Sequence, residues 1–148
     1  MVAVEIWLQQ RLLPGRHTTY FEVLDALAET GCPICRLSLR AVDRHLDMLS
    51  YEAVNDDGVR AQLRAGRGFC YHHTWQFTGE VRNAAGRAMI YRDILGVLER
   101  PLLAPGLSLL VPGEEAAQAL ADRLLPSRGC LACESLERAR RRYLETLV

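Results

Sequence analysis

The chain has 148 residues, a formal net charge of zero and 49% apolar residues. A chain of this length can bury a hydrophobic core without covalent cross-links, and the balanced charge argues against disorder and against a strongly basic nucleic-acid-binding protein. Its apolar stretches are too short to span a bilayer, and no basic segment followed by a long apolar run opens the sequence. We therefore expect a cytoplasmic protein without a membrane span, whose five cysteines stay reduced.

The sequence predicts helices almost throughout. Apolar residues recur at helical spacing in the stretches 19–30, 36–54, 70–99 and 114–125, and a short capped helix is expected to begin near Asp56. Only "VAVEIWL" at residues 2–8 alternates as a strand would, so a short N-terminal strand is the one exception considered. The sequence predicts an all-α helical bundle.

An internal repeat organises the chain. Residues 31–50, "GCPICRLSLRAVDRHLDMLS", align without gaps on residues 129–148, "GCLACESLERARRRYLETLV", and eight of the twenty positions are identical. Each copy is a Gly-Cys-x-x-Cys turn that leads into an amphipathic helix. We therefore expect a helical zinc-binding unit at 1–100, an apolar linker and helix at 101–128, and the start of a second, incomplete repeat at 129–148.

Cys32, Cys35, Cys70 and His73 form the metal site that the sequence predicts. Their pattern is Cys-x2-Cys, followed after a long spacer by Cys-x2-His. Zinc favours four tetrahedral thiolate and imidazole ligands, and three cysteines with one histidine are a common closed structural set. Positions i and i+3 on the first turn of a helix point the same way, which favours His73 over His72. We expect a structural zinc ion in a treble-clef-like knuckle.

Other chemistry for these cysteines stays open. They could be buried small hydrophobic residues, since free cysteine is among the most buried residue types. "CPIC" is similar to the Cys-Pro-x-Cys of glutaredoxin-like enzymes, and an iron–sulfur cluster could recruit Cys130 or Cys133 as a fourth cysteine. Cys130 and Cys133 are otherwise a second metal-binding or thiol pair. A further Cys-x-x-His segment or another subunit would complete that pair.

Three segments carry a resemblance to a known family. They are "CPIC" with Cys32, Pro33 and Cys35, "YEAVND" at residues 51–56, and "GFCYHH" at residues 68–73 with Cys70 and His73. Together they resemble an uncharacterised bacterial family, a domain of unknown function marked by Cys-Pro-x-Cys, Tyr-Glu-x-Val-Asn-Asp and Gly-Phe-Cys-x-x-His. The resemblance implies a metal-binding role at most. Within "YEAVND", Glu52 either belongs to a helix end or contacts His73 and fixes its tautomer.

The function that the sequence favours is a non-catalytic zinc-binding helical module with a protein-interaction or regulatory role. Its partner would be an unknown protein or a second copy of the chain. A closed site with four protein ligands has no open position for water, and the sequence shows no catalytic triad or phosphate-binding loop. The alternatives are a thiol or iron–sulfur redox sensor and a nucleic-acid-binding regulator. In the basic stretch at 137–145, interleaved glutamates favour ion pairs within the helix over nucleic-acid contacts.

Overall fold

The computed structural model describes residues 18–79, 83–103 and 113–147. These residues form seven α-helices and no strand, which confirms the expected all-α fold for this part of the chain. The helices are α1 Thr18–Leu27, α2 Pro33–Tyr51, α3 Asp57–Ala65, α4 Tyr71–Gly79, α5 Ala84–Leu102, α6 Glu114–Leu124 and α7 Leu131–Glu145. The strand considered at 2–8 and residues 104–112 of the apolar linker lie outside the described residues. No helix in the described ranges combines the length and apolar character that crossing a membrane requires.

Local capping explains where α3 begins and ends. The Asp56 carboxylate accepts a 2.7 Å hydrogen bond from the backbone N–H of Val59, as an N-cap residue does. Gly66 closes the helix, and its N–H donates to the carbonyl of Gln62 at 3.0 Å. Arg67 and Gly68 then take positive φ angles of 56° and 94°. The two left-handed residues end the helix and lead the chain into the Cys70 segment.

The helical stretch predicted over residues 70–99 is two helices in the structure, α4 and α5. Asn83 interrupts it, because this residue takes a left-handed conformation with φ 48° and its side chain accepts a 3.2 Å hydrogen bond from the N–H of Gly86. Asparagine tolerates this backbone region and serves well as an N-cap. The apolar periodicity alone did not reveal the break, since the helical spacing of apolar residues resumes after it.

The described residues fall into two compact units, one with residues 18–40 and 137–147 and the other with 41–79, 83–103 and 113–136. We call the latter the central unit. Its core is apolar and draws on five helices, α2, α3, α4, α5 and α7. The buried core residues are Val42, Leu46, Leu49, Leu63, Phe77, Ile90, Ile94, Leu131 and Ala132. The helices α4 and α7 therefore pack into the same core.

A partly buried ion-pair arrangement joins α3 to α5 in the central unit. The Asp93 carboxylate accepts hydrogen bonds from Arg60 Nε at 3.2 Å and from Arg64 Nη1 at 2.7 Å. All three side chains are partly shielded from water, so these contacts are screened less than fully exposed ion pairs. They fix the register of α3 against α5.

The other unit is built from α1, the start of α2 and the end of α7. Tyr143 of α7 is fully buried, and its hydroxyl donates a 2.9 Å hydrogen bond to the Glu22 carboxylate of α1. Arg36 of α2 donates to the Ala26 carbonyl at 3.1 Å and pairs with Glu29 at 3.2 Å. The contact with Ala26 gives a carbonyl in the last turn of α1 a side-chain donor.

Candidate metal centre

Two helix beginnings supply the candidate ligands in the central unit. Cys70 directly precedes α4, and its carbonyl accepts a 2.9 Å hydrogen bond from the N–H of Thr74. Cys130 directly precedes α7, and its carbonyl accepts a 3.1 Å hydrogen bond from the N–H of Glu134. In both segments the first ligand is thus the N-cap residue and the second is three residues later. This spacing brings both side chains of each pair to one side of the first turn.

Cys70, His73, Cys130 and Cys133 form one compact group, in which all four candidate ligand atoms lie within 4.8 Å of one another. The Nδ1 atom of His73 lies 3.2 Å from the sulfur of Cys70, 3.7 Å from that of Cys130 and 3.4 Å from that of Cys133. The sulfurs of Cys70 and Cys133 are 3.7 Å apart. The three cysteines are free of disulfide bonds. The group can hold a metal ion.

Four of the six separations within the group are close to the edges of a tetrahedral zinc site. Zinc–sulfur bonds of about 2.3 Å and zinc–nitrogen bonds of about 2.0–2.1 Å give S···S edges of about 3.8 Å and S···N edges of about 3.6 Å. The S···S distance of 3.7 Å between Cys70 and Cys133 and the S···N distances of 3.2–3.7 Å are close to these edges. The sulfurs are also much farther apart than the two bonded sulfurs of a disulfide. The arrangement suits a shared cation rather than a covalent cross-link.

The core supports the group from one side. His73 is buried, with 4% of its surface exposed, and the two residues between Cys130 and Cys133 belong to the core itself. Of those two, Leu131 is 6% exposed and Ala132 is fully buried. Close packing leaves little freedom for either helix start. The candidate ligands are therefore held by rigid elements, which is what precise metal coordination requires.

Electrostatics within the group disfavour accumulated negative charge. Burial, reinforced by the neighbouring Cys70 and Cys130 thiols, raises the pKa of Cys133 to about 12. For Cys70, burial opposes ionisation, but hydrogen bonds from the backbone of His73 and from the Cys133 thiol lower the pKa overall. Burial, followed by the charge of His72, lowers the pKa of His73 and favours the neutral imidazole that binds metals. A divalent cation would supply the positive charge that several adjacent thiolates need.

The structure places the residues predicted from the sequence in two different locations. Cys70 and His73 lie in the group, and their neighbours are Cys130 and Cys133. Cys32 and Cys35 are exposed free thiols at the start of α2, in the unit with residues 18–40, and they are not members of the group. His72 is exposed and is not a member either.

Glu52, considered as a partner of His73, is exposed in the turn that follows α2. Its backbone N–H donates to the Met48 carbonyl at 2.8 Å. Among the hydrogen bonds of the described residues, none joins its carboxylate to His73.

The sequence pattern contains two equivalent cysteine pairs, and either could have been assigned to Cys70 and His73. The stretch of chain from Cys35 to Cys70 is much shorter than the stretch from His73 to Cys130. The sequence prediction took the first pair because it precedes Cys70 and His73 in the order Cys-x2-Cys, spacer, Cys-x2-His. The residues between the cysteines do not separate the two pairs on sequence grounds, because both intervening dipeptides are apolar, and in the structure Ile34 is buried as Leu131 and Ala132 are. Pro33 and Ile34 stand at the equivalent positions of the first pair.

Cys32 and Cys35 form a local pair of their own. The backbone N–H of Cys35 lies 3.4 Å from the Cys32 sulfur, and the Cys32 carbonyl accepts a 3.2 Å hydrogen bond from the N–H of Arg36. The N–H of Cys35 lowers the pKa of the Cys32 thiol, and the hydrogen bond between the two side chains raises the pKa of Cys35. The start of α2 therefore favours the thiolate of Cys32, whereas the neighbouring Cys32 disfavours that of Cys35.

Comparison with known proteins agrees with the resemblance seen in the sequence. Over 73 residues the chain is 33% identical to the uncharacterized 23.9 kDa protein in xynA 3'region of Caldicellulosiruptor sp. (strain Rt8B.4). The match covers 49% of this chain and 35% of that protein, so it spans about a third of the relative's length. No solved structure matches. The model of DUF6062, a family of unknown function, matches residues 17–148, and the chain therefore belongs to this family.

Proposed function

We propose that the chain is a non-catalytic helical module in which one zinc ion joins the start of α4 to the start of α7. Cys70, His73, Cys130 and Cys133 would be its four ligands. The observation that carries this proposal is the convergence of the four ligand atoms within 4.8 Å of one another, with four of the six separations between 3.2 and 3.7 Å. The proposal keeps the set of three cysteines and one histidine expected from the sequence. It replaces Cys32 and Cys35 with Cys130 and Cys133, the equivalent residues of the other repeat copy.

The donor atoms favour zinc over other ions. Thiolates are soft ligands that magnesium and calcium do not select, whereas a tetrahedral set of sulfur and nitrogen is typical of zinc. An iron–sulfur cluster is commonly held by four cysteines, and this group contains three. Four protein ligands close the coordination sphere and leave no open position for water, so the ion would have a structural role.

The ion would act by linking distant parts of the chain. His73 and Cys130 are far apart in the sequence, and a bond through the metal restricts the long segment between them in the unfolded chain. Because a formed site is rare in an unfolded chain, the free energy of metal binding contributes directly to folding. The site would therefore stabilise the central unit and fix the direction in which α4 extends from the metal ion.

The exposed face of α4 supports a role in protein interaction. Tyr71 and Trp75 are 82% and 62% exposed, and their ring centroids lie 6.4 Å apart in an edge-to-face arrangement. Tyrosine and tryptophan dominate the energetics of many protein interfaces. Tyr71 directly follows the ligand Cys70, so an ion at the proposed site would hold this aromatic pair in place. A protein partner that covers the two rings fits this surface.

Elemental analysis of matched single variants tests the ligand set. Cys130→Ser and Cys32→Ser change equivalent positions of the two repeat copies. After dialysis of dilute protein against zinc-free buffer, we expect Cys32→Ser to retain about one zinc ion per chain, because all four proposed ligands are intact. We expect Cys130→Ser to lose most of its zinc. Zinc that persists in Cys130→Ser but disappears in Cys32→Ser would overturn the assignment.

A further inference from the structure

We propose that Cys32 and Cys35 form half of a second site for a thiophilic divalent cation of the zinc class, completed by Cys32 and Cys35 of a second copy of the chain. The ion would be held by four thiolates related by a two-fold axis. This inference rests on the proposed function to the extent that it takes Cys130 and Cys133 as a working ligand pair.

The first argument is the shared placement of a cysteine directly before each of three helices. Cys32, Cys70 and Cys130 each precede a helix directly, and each carbonyl accepts a hydrogen bond from the N–H four residues later. The three N···O distances are 3.2, 2.9 and 3.1 Å, in the same order. The second and third starts meet in the four-ligand group. The first start makes the same first helical hydrogen bond, as other helix starts of the chain do, and it also carries two cysteines at the N-cap and N3 positions.

The second argument is the sequence of the repeat. Residues 31–50 and 129–148 share eight identities in twenty, including both cysteines. The chain therefore carries two versions of one ligand-bearing turn. The pair in the second version lies within reach of Cys70 and His73, whereas Cys32 and Cys35 are outside that group. Both are exposed free thiols, so a ligand from another molecule can approach them.

The choice of a second copy follows from the ligands that remain. In the described part of one chain, the group in the central unit already uses Cys70, His73, Cys130 and Cys133. The thiols that a second copy can still offer are its own Cys32 and Cys35. Two such pairs supply the four ligands that close a tetrahedral zinc site, and a two-fold axis through the ion is the commonest symmetry of homo-oligomers. Two helix N-termini would face the four thiolates and stabilise their charge.

Zinc content and molar mass, measured together, test the proposal. Wild type is compared with Cys32→Ser/Cys35→Ser and with Cys130→Ser/Cys133→Ser by elemental analysis and analytical ultracentrifugation, with added zinc and with a chelator. For wild type at high concentration we expect about one and a half zinc ions per chain and a dimer that the chelator dissociates. We expect Cys32→Ser/Cys35→Ser to hold about one ion per chain and to show no zinc-dependent dimer.

The second double variant separates the two proposals. We expect Cys130→Ser/Cys133→Ser to keep about half an ion per chain and the zinc-dependent dimer, since its Cys32 and Cys35 are intact. The comparison of wild type with Cys32→Ser/Cys35→Ser replaces exposed side chains alone, so it stays decisive if the other variant fails to fold. A zinc-independent mass in wild type would overturn the inference. Two ions per monomer, or a Cys32–Cys35 disulfide that forms in zinc-loaded protein, would overturn it as well.

Discussion

The substitution Cys133→Ser gives the most informative stability prediction. It removes one of four proposed ligands while leaving the helix start and the buried residues Leu131 and Ala132 unchanged. A hydroxyl is a poor replacement for a thiolate on zinc, and changes in groups that merely support metal ligands already weaken binding about 10–100-fold. Loss of a ligand itself should weaken zinc binding by at least about 100-fold.

The expected loss of stability follows from linkage. When free zinc is at 100 times the dissociation constant, binding stabilises the folded state by about 2.7 kcal/mol, and a 100-fold weaker site retains about 0.4 kcal/mol. The difference is about 2.3 kcal/mol. The central unit lies within residues 41–136, and for a domain of that size about 1 kcal/mol corresponds to roughly 4–8 °C. Cys133→Ser should therefore melt roughly 9–18 °C below wild type in zinc.

Thermal unfolding followed by circular dichroism measures this difference, with zinc and with a chelator. Cys35→Ser is the matched control, because it is the same change at the equivalent position of the other repeat copy and is likewise exposed. In dilute protein we expect Cys35→Ser to stay within about 0.5 kcal/mol of wild type and to keep the full effect of zinc. The reasoning would be refuted if zinc stabilised Cys133→Ser as much as wild type, or if Cys35→Ser lost the effect.

Three further predictions concern the helical scaffold, and each is checked by equilibrium unfolding in denaturant. Gly86→Ala should destabilise the protein by at least about 2 kcal/mol, because the added Cβ would overlap the backbone of α2 and the Asn83 side chain. Gly96→Ala in the same helix has open space around the added Cβ and should stabilise the protein by about 0.5–1 kcal/mol. Equal effects of the two substitutions would contradict this packing. Asp93→Asn should cost about 1–2 kcal/mol at neutral pH. Burial opposes ionisation of Asp93, but hydrogen bonds from two α3 arginines hold its pKa below the usual value, so this stability is present above about pH 3.9 and is lost as the pH falls through the lower, folded-state pKa. The wild type and Asp93→Asn curves should converge in acid, and a constant difference would count against the ion pair. Tyr143→Phe should cost about 1–2 kcal/mol, because it removes the buried hydroxyl that donates to the Glu22 carboxylate; an unchanged midpoint would show that this hydrogen bond contributes little.

Local features of the sequence predicted most of the fold. The Asp56 cap, the glycines after α3 and the apolar spacing within helices depend on neighbouring residues, so they can be read from a single chain. The boundary between α4 and α5 could not be read in this way. Asn83 starts α5 through a left-handed backbone conformation. The presence of an asparagine in the sequence does not by itself show whether the residue caps a helix or lies within one.

The candidate site shows the same division between local and distant information. The pairing of Cys70 with His73 follows from their spacing on one helix turn. Which cysteine pair meets them depends on packing between segments far apart in the chain, and two copies of one motif make the choice ambiguous. In the structure the decisive difference is Leu131 and Ala132, which enter the same core as Phe77 of α4. Sequence spacing contains no information about that contact.

X-ray absorption at the zinc edge of the Cys32→Ser/Cys35→Ser protein tests the central claim most directly, because this variant leaves only the proposed site. We predict three sulfur scatterers at about 2.3 Å and one nitrogen at about 2.0–2.1 Å from a four-coordinate zinc ion. The imidazole signal should disappear when His73→Ala is added. A zinc ion coordinated by oxygen and nitrogen alone, or a protein that takes up no zinc, would contradict the assignment of Cys70, His73, Cys130 and Cys133 as a metal centre.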